Sequence, residues 1–556
     1  MRPRLGSRMV VDALRWMGLL AVVGCSPTLS EKSAQGSDGD DDVVGPGGTD
    51  SDDSDDSDDS GDSGDPATPL GPCGITVDLE TPWFEEGDTV RIGLSCSERD
   101  IAQGGVTVAG VGEAAVFDPA TGQLVWETDG RDGGRWDITV GAGGDGSALE
   151  SEVVTIWIAD SPDAPNARSP VPMEYTEEWG LPVVHVQVGT SITEEEQPAV
   201  ITVRGESVEG AAKIRGASST SYPKVSYTLD FDSDELGVAE WGERTREHML
   251  LITLFDDNSY VRQKLSYDLW AAMAEHQGEA RLTPRTFFAV VYIDGEYVGL
   301  YMGCDRIDDE FMRHMGTSGE GNLYKSVSHD ANFYLYDSGG REKGWLGAGF
   351  EKKEGDPDDW QDLYDLVAHT GALDNASLWD DLGGLDHDEF VDWLIWAQFT
   401  LAEDSAGKNA YLYKDPDTGG WRYAPWDLNA SIGQNWYTAR TSAIDRNDYF
   451  WNNRVFRMLQ EHEPARARVL ERYTDLRDDG PLRPEALNAM IDEYLSVLGP
   501  NIDRDWARWG DQYYAFGRWR GEREAAGDWT DPAGEIEYIR SWIDTRVGMY
   551  DAEGPL

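Results

Sequence analysis

The chain has 556 residues, of which 40% are hydrophobic, so it is long enough for two or three folded domains. Its 105 Asp and Glu outnumber its 46 Lys and Arg, which gives a formal net charge of -59. This balance argues against nucleic-acid binding, because phosphate backbones require clustered basic residues. It suits a soluble surface protein, divalent cations or basic partners.

Residues 1–25 are predicted to be a lipoprotein signal peptide. Arginines precede the apolar stretch WMGLLAVVG, which is too short to span a membrane and ends just before Cys25. The letters VVGC resemble the bacterial lipobox, whose cysteine becomes the lipidated N-terminus; an ordinary signal peptide is the alternative. We therefore expect an exported protein that contacts the cell envelope through its lipid anchor only. By resemblance to Gram-negative lipoproteins, Ser26 after this cysteine favours the outer membrane over the inner one.

Residues 26–70 are predicted to be a disordered acidic linker. The stretch SDGDDDVVGPGGTDSDDSDDSDDSGDSGDPATP contains no aromatic and no basic residue. It cannot bury enough apolar surface to offset the entropy lost on ordering. Its Ser-Asp-Asp repeats are alternatively acceptors of phosphate.

Residues 71–163 are predicted to form a small immunoglobulin-like β-sandwich. Short alternating segments separated by turn residues indicate strands: GITVDLE, DTVRIGLSC, AAVFD, QLVWET, RWDITVGA and VVTIWIAD. We expect Cys73 and Cys96 to form a disulfide in an oxidising compartment, although two free cysteines also fit. Cys304 is then left as a buried thiol.

Residues 165–556 mix strands with helices and become helical towards the C-terminus, which predicts an α+β domain. VVHVQV, AVITVRG, AAKIRG and KVSYTLDF have the pattern of strands. Asp294-Gly295 is predicted to be the turn of a hairpin. The segment DPDDWQDLYDLVAHT predicts a helix with Asp356 as its cap and Pro357 at its first position. A second helix is predicted over DEFVDWLIWAQFTLAE.

The stretch LAEDSAGKNAYLYKDPDTGGWRYAPWDLNASIG, residues 401–433, holds the main candidates for chemistry. Asp404 follows a helix, Asn409 begins a strand, and Asp427 ends the next strand. A hairpin centred on Thr418 would place Asn409 opposite Asp427, with Cα atoms about 4.5–5.5 Å apart. The two side chains would then share a cation such as Mg²⁺, which prefers oxygen ligands. Residues of an ordinary hairpin are the alternative.

The order of these residues is that of protein kinases. There an Asp accepts the proton of the substrate hydroxyl, while an Asn five positions later and a second Asp hold metal. The kinase His-Arg is replaced by Ala402-Glu403, and Asp-Phe-Gly by Asp427-Leu428-Asn429. Lys224, on the polar face of the strand KVSYTLDF, is placed like a lysine that binds nucleotide phosphates; a surface lysine is the alternative.

Taken together, these segments resemble the spore-coat-protein-H (CotH) kinase family over about residues 180–480. The motifs that carry the resemblance are RGASS at 215–219, PKVSY at 223–227, DDNSYVRQKLSYDL, YIDGEYVGLY, KNAYLYK and PWDLNASIG. They occur in the family's order.

The resemblance implies an atypical protein-kinase-like fold and transfer of phosphate from ATP to Ser residues of a protein acceptor with a Ser-rich segment. It implies ATP and Mg²⁺, or Mn²⁺, at the site. The implied roles are catalysis for Asp404, metal binding for Asn409 and Asp427, and ATP contacts for Lys224, Arg215 and Ser218.

The sequence departs from the family pattern at three positions. Ala217 replaces a loop Asn, Asp305 stands where a Glu is frequent, and Asn429 replaces a second Asp. A non-catalytic adhesion or coat-assembly protein with a degenerate kinase-like fold is therefore an alternative. A third possibility is that the site transfers AMP or ligates glutamate.

Overall fold

A computed structural model of the chain describes residues 72–556, apart from 145–146, 233–235, 240–241 and 243–244. The signal peptide, the lipidation site Cys25 and the linker predicted for 26–70 lie outside the described residues. Within this part the fold is mixed α and β, with sheets first and a helical C-terminal part, as predicted. Of the helices in the described part, none is long and apolar enough to cross a membrane.

The first region consists of two four-stranded sheets, with orders β1-β3-β6-β5 and β2-β8-β7-β4. Its strands are β1 (Ile75–Asp78), β2 (Trp83–Glu85), β3 (Thr89–Cys96), β4 (Val106–Ala109), β5 (Ala115–Asp118), β6 (Gln123–Glu127), β7 (Gly134–Gly144) and β8 (Ser147–Ala159). β2 and β4 were not predicted; β2, with three residues, is too short to show alternation. The immunoglobulin-like assignment stays a prediction.

A disulfide joins Cys73 to Cys96, with Cα atoms 4.7 Å apart, and so links the start of this region to the end of β3. Cys304 is a buried free thiol, as predicted. The region contacts the following chain through hydrogen bonds such as that from Trp179 Nε1 to the Phe84 carbonyl at 2.7 Å. The boundaries at 71–163 and 165–556 stay predictions.

The next strands form a closed sheet. They are β9 (Glu177–Glu178), β10 (Leu181–Gln187), β11 (Gln197–Val203), β12 (Glu206–Arg215), β13 (Ser226–Phe231), β14 (His248–Thr253), β15 (Thr286–Ile293) and β16 (Glu296–Cys304). Their order is β11-β12-β13-β14-β16-β15-β10-β9, and β11 also pairs with β10, which closes the ring. Arg215 pairs with Ser226, and the neighbouring Tyr227 pairs with Leu251, so the end of β12, the start of β13 and the end of β14 meet at one rim.

The hairpin of β15 and β16 turns at Asp294-Gly295, as predicted. Asp294 has φ 50° and Gly295 has φ 80°. Both residues are therefore left-handed, as the tight two-residue turn between twisted strands requires.

The remainder combines a small sheet with helices. The sheet has the order β18-β17-β19-β20 and consists of β17 (Asn322–Ser326), β18 (Phe350–Glu354), β19 (Ala410–Lys414) and β20 (Trp421–Pro425). The helices are α1 (Arg262–Glu275), α2 (Asp309–His314), α3 (Gln361–Ala372), α4 (Asn375–Asp380), α5 (His387–Phe399), α6 (Arg454–Glu461), α7 (Glu463–Asp478), α8 (Pro484–Leu498), α9 (Asn501–Ala515), α10 (Gly517–Ala526) and α11 (Pro532–Glu553).

One predicted helix begins later than expected, and two helices of the C-terminal part were not predicted individually. The helix expected from Pro357 begins only at Gln361, because residues 356–359 form a turn in which the Asp359 amide donates to the Asp356 carbonyl at 3.1 Å. Helices α9 and α10 were not predicted.

A buried ionic network joins the C-terminal helix to the rest of the domain. The Arg262 guanidinium donates to Asp257 at 2.6 Å and to Glu535 of α11, and neither Arg262 nor Glu535 is exposed. Arg440 also donates to Glu535, at 2.7 Å. Burial alone would raise the pKa of Glu535, but the guanidinium groups of Arg262, Arg440 and Arg523 outweigh it and lower that pKa from 4.5 to about 2.

We predict that Glu535→Gln destabilises the protein by roughly 3–5 kcal/mol, because it removes the carboxylate that Arg262, Arg440 and Arg523 share. Since the folded pKa lies below the unfolded one, the stabilisation is complete above pH 4.5 and is lost as the pH falls towards 2. Urea unfolding at pH 7 and between pH 5 and 3 measures both effects. Glu537→Gln, at an exposed position of the same helix, is the control. An unfolding free energy unchanged by Glu535→Gln would contradict the prediction.

Candidate active site

A cleft of about 800 Å³ opens between the closed sheet and the small sheet. The closed sheet contributes Arg215, Ser226 and Thr253 from the rim where β12, β13 and β14 meet. Facing them are Lys325 of β17 and the segments around Asp404, Asn409 and Asp427. Except for Lys224, the nucleotide, metal and catalytic residues predicted from the sequence line this one cleft.

The loop after β12 forms one wall. Gly216 has φ 121°, and a Cβ there would lie 2.1 Å from Ser219 Oγ, so the loop requires glycine at this position. Ser218 is exposed and begins a 3-10 turn over Ser218–Ser221. Ala217 caps this turn without a side-chain hydrogen bond. The replacement of Asn by Ala therefore leaves this turn without side-chain capping.

Asp404 lies in the turn that follows α5. Its carboxylate contacts Lys408 Nζ at 2.7 Å and His329 Nε2 at 3.3 Å, and the His329 ring stacks on Tyr449 with centroids 4.3 Å apart. Burial would raise the pKa of Asp404, but the His329 hydrogen bond and the Lys408 ammonium outweigh it and hold the pKa below its usual value. The group is therefore an ionised carboxylate at neutral pH.

Two buried asparagines hold the Asp404 turn in place. Asn447 Nδ2 donates to the carbonyls of Ala402 and Glu403 at 3.0 and 3.1 Å. Asn453 Nδ2 donates to the Ala406 carbonyl at 2.8 Å. Because these contacts fix backbone on both sides of Asp404, its side chain is presented on a rigid turn.

Asn409 and Asp427 meet at the open end of the β19–β20 hairpin, but in a register one residue from the predicted one. Ala410 pairs with Pro425, so the Asn409 carbonyl accepts from the Trp426 amide at 3.0 Å. Asn409 reaches Asp427 through its side chain, with Nδ2 donating to the Asp427 carbonyl at 3.3 Å. Both residues are left-handed, with φ 56° and 60°. Asn and Asp tolerate this conformation best among residues with a Cβ.

Asp427 opens into the cleft among basic side chains. Desolvation of its carboxyl group by the surrounding protein raises the pKa of Asp427, while the positive charges of Lys325 and Arg215 act in the opposite direction. Arg215 lies 5.5 Å from the centroid of the Trp426 ring, and Lys325 Nζ lies 5.9 Å from it. Within the described residues, neither cation forms a salt bridge with a carboxylate.

Asp256 is a cleft residue that the sequence analysis missed. Its Oδ2 accepts from Asn429 Nδ2 at 2.7 Å and from the Tyr222 hydroxyl at 3.3 Å. Burial, followed by the charge of Asp427, raises the pKa of Asp256 to about 7. Asn429 thus donates to the carboxylate of Asp256, which comes from another segment. The Asp that the family pattern has at position 429 would place a third carboxyl group next to Asp256 and Asp427. The sequence feature that could have indicated Asp256 is its position as the first residue of the motif DDNSYVRQKLSYDL.

The structure does not bring Lys224 into the cleft, which corrects the predicted placement. Its Nζ is buried against Asp505 of α9 at 2.7 Å and the Leu300 carbonyl at 2.6 Å. Asp505 also accepts from the Leu300 amide and the Tyr260 hydroxyl. The sequence could not reveal this pair, because Asp505 lies 281 residues away in a helix that was not predicted. Two lysines line the cleft instead: Lys408, which pairs with Asp404, and Lys325 on β17.

Asp305, the second departure from the family pattern, is a structural residue. It is buried and accepts from Arg246 Nε at 2.9 Å and from the Arg285 amide at 2.9 Å. It does not line the cleft. The Glu-to-Asp difference therefore concerns packing.

The oxygen ligands around Asp427 are too few to hold a metal ion by themselves, but they fit Mg²⁺ that is also bound by a substrate. No group of three or more His, Cys, Asp or Glu side chains that could hold a metal occurs in the described part of the chain. A cation at Asp427 and the Asn409 amide oxygen would need further oxygen ligands. Mg²⁺ is usually bound in this way, through one or two carboxylates and the phosphates of a substrate.

Comparison with known proteins places this cleft in a family. The family model described as CotH kinase protein matches residues 212–550. The matched region begins in β12 and ends in α11, so it contains the whole cleft. Inner spore coat protein H of Bacillus subtilis (strain 168) is 27% identical to the chain over 279 residues, which are 50% of this chain and 74% of that protein.

We predict that Lys224→Met lowers the free energy of unfolding by roughly 3–5 kcal/mol, because it leaves the Asp505 carboxylate buried without its cation. Lys213→Met is the matched control: Lys213 is partly exposed in the same β12–β13 region and pairs with Glu196, so about 1 kcal/mol or less is expected. Urea unfolding measures both. A stable Lys224→Met protein that has lost nucleotide binding would show that Lys224 acts in the cleft.

Proposed function

The chain belongs to the CotH kinase protein family, and on that premise we propose that it is an ATP-dependent protein kinase. In this proposal it transfers the γ-phosphoryl group of ATP to Ser side chains of a protein acceptor. The proposal includes a domain that is a reduced relative of the protein-kinase fold. The observation that carries it is the ionised Asp404 in a cleft that is also lined by Asp427, the proposed metal ligand, and by Arg215 and Lys325, two basic side chains without an ion pair in the described part of the chain.

The charge distribution supports an anionic ligand in the cleft. Acidic residues outnumber basic ones by more than two to one in the chain, so a cation is expected to find a carboxylate easily. Arg215 and Lys325 nevertheless face the cleft without a carboxylate partner among the described residues. Both lie near Asp427 and oppose the rise in its pKa that desolvation causes. We assign them to the ATP phosphates, with Lys325 in the place first given to Lys224.

Asp404 is the proposed catalytic base. Its carboxylate accepts a hydrogen bond from the acceptor Ser hydroxyl and takes its proton as the Oγ–P bond forms and the bond to the β-phosphate oxygen breaks, which releases ADP. Lys408 and His329 hold the carboxylate in one orientation. Because the Asn447 and Asn453 contacts fix the turn, little reorganisation is needed during transfer.

Asp427 and the Asn409 amide oxygen would hold Mg²⁺, or Mn²⁺. The ion, when bound, supplies positive charge that offsets the charge on the transferring phosphate. Asp256 is a further carboxylate beside this position, and Asn429 keeps its Oδ2 hydrogen-bonded. We infer that the raised pKa of Asp256 falls when a cation is bound here, so that its carboxylate contributes the negative charge that Asn429 lacks.

The acceptor and location are further proposals. The relative in Bacillus subtilis is named a spore coat protein, which fits action on other proteins of a surface layer. We propose that this chain acts outside the cytoplasm, attached to the envelope by lipid at Cys25. Detergent-phase partitioning of the full chain is the measurement that checks the anchor.

We predict that Asp404→Asn lowers the rate of phosphate transfer by about 10²–10⁴-fold, the usual contribution of a general base. Affinity for Mg²⁺·ATP should stay within about twofold, because Asp404 contacts no proposed phosphate ligand. The assay uses full-length protein, Ser-containing acceptor peptides and intact-mass detection, which separates phosphate from AMP or glutamate.

Asp417→Asn is the control, since it makes the same change at an exposed turn of the same hairpin. Equal phosphate transfer by Asp404→Asn and wild type would rule out this role for Asp404. An absence of transfer and of nucleotide binding in the wild type would favour the non-catalytic adhesion protein.

A further inference from the structure

Helix α10 directs one arginine into the cleft. The helix carries Arg518, Arg520 and Arg523. Arg520 pairs with Glu524 at 2.7 Å, and Arg523 pairs with Asp528 at 3.1 Å. Arg518 lines the cleft and forms no salt bridge with a carboxylate in the described part of the chain. The one arginine of α10 that faces the cleft is thus the one without an acidic partner.

Arg518 is held in place by its neighbours. Trp519, the next residue, is fully buried, and its ring lies 5.3 Å from that of Tyr222 and 4.3 Å from that of Phe516. Its Nε1 donates to the Tyr513 carbonyl at 3.0 Å. Because this aromatic cluster anchors the first turn of α10, the backbone of Arg518 is fixed next to the cleft.

The Arg518 guanidinium lies 5.2 Å from the centroid of the Trp436 ring. Trp436 also lines the cleft and is 41% exposed, so its ring is available to a ligand. Trp436 lines the cleft together with Glu403, the residue before Asp404. Arg215 and Lys325, in contrast, lie beside Trp426.

We propose that Arg518 and Trp436 form a subsite for the protein acceptor that binds an Asp or Glu close to the phosphorylated Ser. This inference rests on the proposed kinase function and adds acceptor specificity to it. The guanidinium supplies a charged donor pair for a carboxylate, and the Trp ring supports the acceptor chain. Glu403 and Asp404 repel the carboxylate of the acceptor's Asp or Glu, so that acidic residue binds on the side of the cleft where Arg518 lies.

The test compares Arg518→Gln with Arg520→Gln in the full-length protein. The probes are two labelled peptides, one with a single Ser flanked by two Asp on each side and one with Asn at each Asp position. Fluorescence anisotropy without nucleotide gives peptide affinity, and calorimetry gives affinity for Mg²⁺·ATP. Both variants carry the chain's own Ser-Asp-Asp repeats, so competition from these repeats is equal in the two.

We expect the wild type and Arg520→Gln to bind the acidic peptide about fivefold or more tighter than the neutral one. Arg518→Gln should remove this preference and leave Mg²⁺·ATP affinity unchanged. The inference is overturned if wild type shows no preference, if both variants lose it equally, or if Arg518→Gln weakens ATP binding and keeps the preference. Peptide preference without phosphate transfer would contradict the kinase function alone.

Discussion

The buried Arg262 guanidinium is the interaction on which the site depends most. It donates to Asp257 in the turn before α1, to Glu535 of α11 and to the Ile432 carbonyl at 3.2 Å. Asp257 follows Asp256, and Ile432 lies in the segment that follows Asp427. One side chain therefore holds together the C-terminal helix and the two segments that bring carboxylates into the cleft. Loss of this contact would move the proposed metal ligands relative to the rest of the cleft.

Whether a charged side chain forms an ion pair depends on where it lies in the protein. In the described part of the chain many acidic side chains are exposed, while several buried ones are paired with a cation, as Asp505 is with Lys224. The cleft differs around Asp427, because Arg215 and Lys325 line it there and form no salt bridge with a carboxylate in the described part of the chain. Such an arrangement costs free energy in the empty protein and favours a ligand that carries both signs. A metal–nucleotide complex is a ligand of this kind.

The sequence was sufficient for the parts of the structure that are local. The Asp294-Gly295 hairpin follows from turn chemistry, and the clustering of Asp404, Asn409 and Asp427 follows from the short β19–β20 hairpin that connects them. The partner of Lys224 was not predictable, because strand alternation shows that a lysine faces away from apolar neighbours but cannot show which distant helix packs there. The C-terminal part was predicted to be helical, but α9 and α10 were not named as separate helices, and Asp505 and Arg518 were missed with them. Asp256 was overlooked because the pairing that makes it a cleft residue joins segments far apart in the chain.

The central claim is that the cleft binds a metal–nucleotide complex through Asp427. The most direct measurement is calorimetric titration of a non-hydrolysable ATP analogue into the full-length protein with Mg²⁺, with EDTA, and with Asp427→Asn. The account predicts saturable binding with Mg²⁺ that is at least about tenfold weaker in the variant and in EDTA, since a charged ligand to the metal is lost. Binding that is equally strong under all three conditions, or no binding by the wild type, would contradict it.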